Sequence, residues 1–360
     1  MTALLEPGSI PELVDLVRSN QSVRTTSAST KPRLSEGTAT PISTLKLRGI
    51  TEYDPAEFTF TAFAGTPLQE IVFALAERGQ YLPFDPLLVE SGSTLGGAVA
   101  SGLSGPGRFR FGGVRDFILG VRFVDGLGRS LRLGSKVVKS AAGFDLPKFF
   151  TGSLGRFGIL TKLTFKVFPN PPARITLKLP SEDIRSSVKM IIEASNTRWQ
   201  PEALDIPPNQ RFVYLRLAGP QTAIRKIANE ILSRWAGEPL AAQHAESFWS
   251  ELREFRWVHP SGPLLKVPLT PESLLPFWQA LNARDDARFH LSAGGNVAFI
   301  SLPSNSGADS LSQTLATLGL PAVSLRGNAP LWLGARKQHT IAHAVKKALD
   351  PHHKFPSIDN

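Results

Sequence analysis

Apolar residues recur along this chain in two rhythms, one suited to helices and one to strands. Ile10, Leu13, Val14 and Val17 fall at helical spacing and predict a short first helix over residues 9–18. Residues 58–64 alternate as a strand does. Thr66-Pro67-Leu68-Gln69 then has the form of a capping box with proline at the first helical position. Leu68, Ile71, Val72 and Leu75 would supply the apolar face of that helix, over 67–78, and Gly79 would stop it. Residues 121–124 and 130–133 flank Asp125-Gly126-Leu127-Gly128 and predict a hairpin. In 161–167, Leu163, Phe165 and Val167 alternate with Lys162, Thr164 and Lys166, the pattern of a half-buried strand.

Pro169, Pro171 and Pro172 interrupt the pattern and mark a domain boundary. Beyond them strand-like 174–179, 211–217, 264–269 and 296–302 each precede a helical segment. Those segments are 181–194, the stretch bearing Ile224, Ile227, Ile231, Leu232 and Trp235, then 271–283 and 309–318. Four such units predict an α+β layer with helices on one face of a sheet, and the periodicity leaves parallel and antiparallel pairing open. The expected organisation is a first domain over 1–172, a second over 173–330, and a terminal helix and tail, 331–360, returning to the first.

With 42% hydrophobic and 19% charged residues, the chain has the makings of a packed core, and wholesale disorder is excluded. No apolar run approaches the ~18 residues of a membrane-spanning helix. Glu6, Glu12 and Asp15 precede any apolar block, so residues 1–20 do not read as a signal peptide, and a cytoplasmic protein is expected. The absence of cysteine removes disulfides, thiolate catalysis and every cysteine-ligated cluster.

Charge is unevenly spread. Of the net +10, residues 101–178 carry +11, from 14 Lys or Arg against Asp116, Asp125 and Asp145. The same region is rich in glycine, with 16 of the 30 glycines between Gly92 and Gly158. Glycine with positive charge suits an anion that bare backbone must approach closely, and a solvated basic face fits the composition equally well. No nucleic-acid recognition module accompanies the charge, so nucleic acid is not an expected partner.

Standard nucleotide and hydrolase fingerprints are missing. There is no G-x-x-x-x-G-K-[ST], Gly152-x-x-Gly155-x-x-Gly158 is spaced wrongly for G-x-G-x-x-G, and no G-x-S-x-G elbow occurs. What remains is the small, hydroxyl-rich stretch 24–31, ending in Lys31, and two glycine-rich blocks at 92–107 and 152–158.

Together with the helix 67–78, these segments resemble the flavin-binding domain shared by vanillyl-alcohol oxidase and related FAD-linked oxidases, the PCMH type. The motifs carrying the resemblance are Gly92-Ser-Thr-Leu-Gly-Gly97, Gly112-Gly-Val-Arg-Asp-Phe-Ile-Leu-Gly120, the run 139–146, and Thr151-Gly-Ser-Leu-Gly-Arg-Phe-Gly-Ile-Leu160. More narrowly, 66–86, 93–107 and 114–120 are similar to the FAD-binding E subunits of bacterial glycolate oxidases. The resemblance is clear over about 20–170 and weaker beyond. It implies a two-lobed PCMH-type FAD domain followed by an α+β cap domain. Loop residues Ser27, Ala28, Ser29, Thr30 and Lys31 would cradle the FAD pyrophosphate. Ser93, Thr94, Gly96, Gly97 and Gly102 would let the chain approach flavin and diphosphate, and Gly158 and Ile159 would meet the adenosine end or the flavin edge. Ser27 and Ala28 stand where the family usually has glycine; their side chains would crowd the phosphate and penalise positive φ, and the Ser27 and Thr30 hydroxyls would compensate by donating hydrogen bonds.

Histidine first occurs at His244, so the first 243 residues offer neither His nor Cys, and FAD is expected to be held non-covalently. The resemblance further implies glycolate oxidation to glyoxylate, a paralogous catalytic flavoprotein subunit, an iron–sulfur subunit, and possible peripheral attachment of the complex to a membrane. The expected His-rich base motif is replaced by Ala293-Gly294-Gly295-Asn296-Val297, so no catalytic residue is assigned. His290 is read as more often structural than catalytic, and Arg108 and Arg110 as an anion clamp, a partner contact or a solvated loop. His339 and His343 share a helix face without a third ligand, so no metal is expected. Two other readings stand beside this one: an independent FAD-linked oxidoreductase on another alcohol or hydroxy acid, and a flavin-free structural subunit.

Overall fold

The structure is a computed structural model and describes residues 3–134, 146–208, 211–336 and 340–359. The run 139–145 and His339 therefore lie outside the described residues. The chain parts into two compact units. The first comprises 1–104, 113–170 and 338–360, and the second 105–112 and 171–337.

In the first unit, α1 (Ile10–Ser19) buries Leu13 and Val17, the predicted apolar stripe, with Ser9 capping it through Glu12 N–H. β1 (Val23–Thr26) runs parallel to β2 (Thr40–Ser43). A five-stranded antiparallel sheet follows, built from β3 (Ile50–Asp54), β4 (Thr59–Phe63), β6 (Ile118–Val124), β7 (Ser130–Gly134) and β8 (Ile159–Lys166) in the order β3-β4-β8-β6-β7. β5 (Gln80–Tyr81) pairs with β9 (Phe168–Pro169). The hairpin predicted at 121–133 is β6–β7. Phe60, Leu163, Phe165 and Phe123 are buried on one side of the sheet, while Lys162 and Thr164 are only half-buried.

Two helices lie between β4 and β6 in this unit: α2 (Leu68–Ala76) and, in the glycine-rich stretch, α3 (Leu95–Ser101). The predicted capping box at Thr66 does not form. Thr66 Oγ1 accepts instead from Gly49 N–H at 2.9 Å, and Pro67 occupies the cap with no side-chain bond. Val72, expected on the apolar face, is exposed.

The carboxyl-terminal helix, Thr340–Leu349, and its tail belong to this first unit. Lys346 Nζ donates to the Asp350 carboxylate at 2.6 Å and to the carbonyls of Arg156, Phe355 and Pro356. Lys354 Nζ caps the end of α1 at the Val17 and Arg18 carbonyls, and its own carbonyl accepts from Val23 N–H at the start of β1.

The second unit holds two antiparallel sheets. One is ordered β11-β12-β10-β13, from β10 (Ala173–Pro180), β11 (Ala203–Asp205), β12 (Phe212–Gly219) and β13 (Glu238–Pro239). The other is ordered β15-β16-β14-β17-β18, from β14 (Leu264–Pro268), β15 (Arg288–Ser292), β16 (Val297–Ser301), β17 (Pro321–Arg326) and β18 (Trp332–Gly334). The helices Ile184–Ser195, Gln221–Arg234, Pro271–Asn282 and Ala308–Thr317 bury their apolar stripes with these strands in one core containing Leu177, Leu215, Leu265, Phe277, Ile300 and Leu311. This is the α+β layer that the strand–helix rhythm predicts. Phe109, from the short segment 105–112, packs against the same core.

Candidate cofactor cleft

The cleft of the first unit is walled by two loops and one helix start. β1 delivers the chain into 27–31, and α3 brings Ser93 through Gly97 opposite. The turn 154–158 closes the end. The cleft has a cavity volume of about 90 Å³ and is partly open to solvent.

The loop 27–31 presents an unusual backbone. The amide N–H groups of Ser27 through Lys31 donate to no acceptor among the described residues. Runs of unpaired amides of this kind form concavities for anions. Of the five residues only Ser29 has positive φ, 52°, so Ser27 and Ala28 occupy conformations open to any residue and carry no left-handed strain. Thr25 Oγ1, also in the lining, is buried with no hydrogen-bond partner.

Lys31 supplies the charge. It is 9% exposed, and its Nζ donates to Thr30 Oγ1 and to Ser93 Oγ, each at 2.9 Å. Among the described residues no Asp or Glu lines the cleft, and the neighbours of the ammonium there are hydroxyls. Burial alone lowers its pKa from 10.5 to about 8. Across the cleft Ser27 Oγ and Thr94 Oγ1 share a hydrogen bond of 3.1 Å, and Thr94 Oγ1 also caps α3 by accepting from Gly97 N–H at 3.2 Å.

Glycine is required where α3 meets the sheet. A Cβ on Gly96 would lie 2.8 Å from both the carbonyl oxygen and the Cβ of Ala64. At Gly158, φ is 153° and a Cβ would lie 2.7 Å from the Val124 carbonyl.

Of the residues singled out in the sequence, Ser27, Ala28, Ser29, Thr30, Lys31, Ser93, Thr94, Gly96, Gly97 and Gly158 all line this cleft. Gly102 and Ile159 do not. Gly102 ends α3 in the left-handed conformation, and Ile159 is fully buried in the core beside α1. Leu154 and Gly155, from the motif 151–160, also line it. The sequence reading missed Leu34, Thr44 and Ala64, which no motif marks because each reaches the cleft from a separate segment.

In the second unit, His290 Nε2 lies 2.8 Å from Asp205 Oδ2, and both side chains are buried. Ser292 Oγ and Ala293 N–H also donate to that carboxylate, each at 2.9 Å. Ala293, Gly294 and Gly295 form a turn of positive φ. Arg110 donates to both the backbone and side-chain oxygens of Gln200, which makes it a structural tie within the unit.

Compared with known proteins, residues 1–134 match the family described as FAD binding domain. Over those residues the chain is similar to FAD binding domains, and the cofactor these likenesses indicate is FAD. The chain is 40% identical to glycolate oxidase subunit GlcE of Escherichia coli (strain K12) over 210 residues, 58% of this chain and 56% of that protein. It is 30% identical to the D-lactate dehydrogenase of Anaerostipes hadrus over 172 residues, 48% of this chain and 36% of the other. Against glycolate oxidase subunit GlcD of Bacillus subtilis (strain 168) the identity is 30% over 156 residues, 43% and 33% of the two chains. The matched segments thus span from a third to just over half of these relatives. A solved alkyldihydroxyacetonephosphate synthase has the same fold, with a TM-score of 0.69 at 16% identity over 98% of this chain and 76% of the other.

Proposed function

We propose that this chain is the FAD-binding subunit of a glycolate oxidase-like complex, supporting oxidation of glycolate to glyoxylate and passing electrons to partner subunits. The 40% identity to subunit GlcE carries the reading, and the anion-ready cleft agrees with it. The amides of Ser27 to Lys31 and the Lys31 ammonium would hold the diphosphate, with Ser93, Thr94 and Gly97 facing it. FAD bound there supplies the two-electron acceptor for the substrate C–H hydrogen.

The chain's own share is to bind, orient and charge-match the cofactor. Gly96 lets α3 sit against Ala64, which sets the Ser93–Gly97 wall at its distance from Lys31. Without cysteine, these 360 residues cannot themselves ligate an iron–sulfur relay of the usual kind. A paralogous catalytic flavoprotein and an iron–sulfur subunit are the partners this reading requires.

Purification of the chain alone and with those two subunits tests it, with glycolate-dependent reduction of a soluble dye as the readout. The expected result is a yellow chain that acts on glycolate only in the reconstituted complex. Full activity of the chain alone would make it an independent oxidoreductase, and a colourless chain in an active complex would make it a structural subunit.

A further inference from the structure

Among the described residues, the positive charge of residues 101–178 does not line the cofactor cleft. Among the described residues Lys31 is the only Lys or Arg in the lining, and it comes from outside that stretch. Part of the surplus stands instead on the face of the five-stranded sheet opposite the buried Phe60, Leu163 and Phe165.

There, Arg132 of β7 pairs in register with Arg122 of β6, and Arg122 pairs in register with Lys162 of β8. Arg122 and Arg132 are exposed and Lys162 is half-buried. Side chains directly opposite on antiparallel strands lie about 5 Å apart, and like charges placed so destabilise the sheet. Among the described residues no carboxylate forms an ion pair with any of the three, and Lys162 Nζ rests 4.4 Å from the centre of the Phe63 ring. With Thr61, Thr164 and Gly120 they line a groove of about 260 Å³, whose one carboxylate residue, Glu52, stands on β3 at the far edge.

We propose that this cation row is a docking surface for an acidic protein segment carrying two or more carboxylates spaced to match adjacent strands. Carboxylates seated on Arg122 and Arg132 would accept paired guanidinium hydrogen bonds and relieve the repulsion within this chain. The row spans three strands, about 10 Å, and carboxylate residues Glu52 and Asp54 follow on β3. A uniformly anionic bilayer or duplex would meet those carboxylates, whereas a protein surface can set a base over them. Naming the occupant as a neighbouring subunit rests on the function proposed above, while the surface itself does not.

The test uses the purified full-length chain with a fluorescein-labelled hexaglutamate peptide, read by anisotropy at low ionic strength. Anionic phosphatidylglycerol vesicles and a short DNA duplex are assayed in parallel. Arg122→Glu/Arg132→Glu is compared with Arg225→Glu/Lys226→Glu, which makes the same charge change on an exposed helix of the second unit. The expected loss of peptide affinity is at least about tenfold for the first pair and under about twofold for the second, with strong weakening by salt. Arg122→Gln/Arg132→Gln serves if the reversed pair does not fold. Equal loss in both pairs, no peptide binding, or tighter binding of vesicles or duplex that the first pair abolishes would overturn the proposal. Flavin absorbance is recorded throughout: a colourless wild type with the peptide difference intact would sink the flavin reading and leave this surface standing.

Discussion

Lys31 Nζ and Ser93 Oγ meet at 2.9 Å across 62 residues of sequence, and this contact joins the two walls of the cofactor cleft. It places a buried ammonium where no carboxylate among the described residues balances it, and that has a measurable pH consequence. In the cofactor-free chain the group loses its proton near pH 8, while a bound diphosphate would keep it charged. FAD binding above pH 8 then requires proton uptake, and affinity should fall by about tenfold between pH 7.5 and 9. Lys31→Met should bind more weakly at pH 7.5 and lose that dependence, as titration calorimetry would show. A wild-type affinity flat across this range would contradict the assignment. For the cofactor-free chain the sign reverses. The unfolded chain binds more protons between about 8 and 10.5, so this group's contribution to stability improves as pH rises through that window.

Gly97 lines the cleft, and a Cβ there would lie 3.1 Å from Thr94 Oγ1 and 4.0 Å from Ser93 Oγ. Gly97→Glu therefore puts a carboxylate into the space proposed for the diphosphate, with only modest pressure on the fold. Flavin content should drop to below about a tenth of wild type through repulsion and exclusion, with circular dichroism unchanged. Normal flavin loading of this variant would place the cofactor elsewhere.

Lys346 ties three carbonyls and the Asp350 carboxylate together from a position only 5% exposed. Its neighbour in the tail, Lys354, holds the end of α1 and the start of β1, the strand leading into the 27–31 loop. Lys346→Met leaves a buried carboxylate without its cation and should cost about 3 kcal/mol of stability. A denaturant melt followed by far-ultraviolet dichroism checks this, and flavin retention should fall with it.

Asp205 accepts from His290, Ser292 and Ala293 while fully buried. Asp205→Ala strands three donors and should destabilise the chain by about 3 kcal/mol, with His290→Ala milder. Chemical denaturation of both variants provides the comparison, and an unchanged midpoint for Asp205→Ala would deny the cluster its structural role.

Periodicity was enough to read the elements whose stability comes from one apolar stripe: α1, the β6–β7 hairpin and the strand–helix units of the second unit. It failed where tertiary contacts compete for a local signal. The Thr66 hydroxyl looks like a helix cap in sequence but bonds to Gly49, and Val72 sits at the edge of its stripe and faces solvent. The cleft was legible where small residues cluster, at 27–31 and 93–97. It was not legible at Leu34, Thr44 or Ala64, single residues that folding brings in from other segments. His290 looked isolated because its partner, Asp205, lies 85 residues away on a neighbouring strand. The positive charge of 101–178 was visible as a quantity, yet only strand register shows Arg122, Arg132 and Lys162 side by side and away from the cleft.

The most direct measurement is the visible spectrum of the purified chain together with calorimetric titration of its cofactor-free form by FAD. The predicted result is a flavin spectrum, full release of the flavin by acid, and rebinding of one FAD per chain. A colourless polypeptide that takes up no FAD, with or without partner subunits, would contradict the claim that 27–31 and 93–97 form a dinucleotide site.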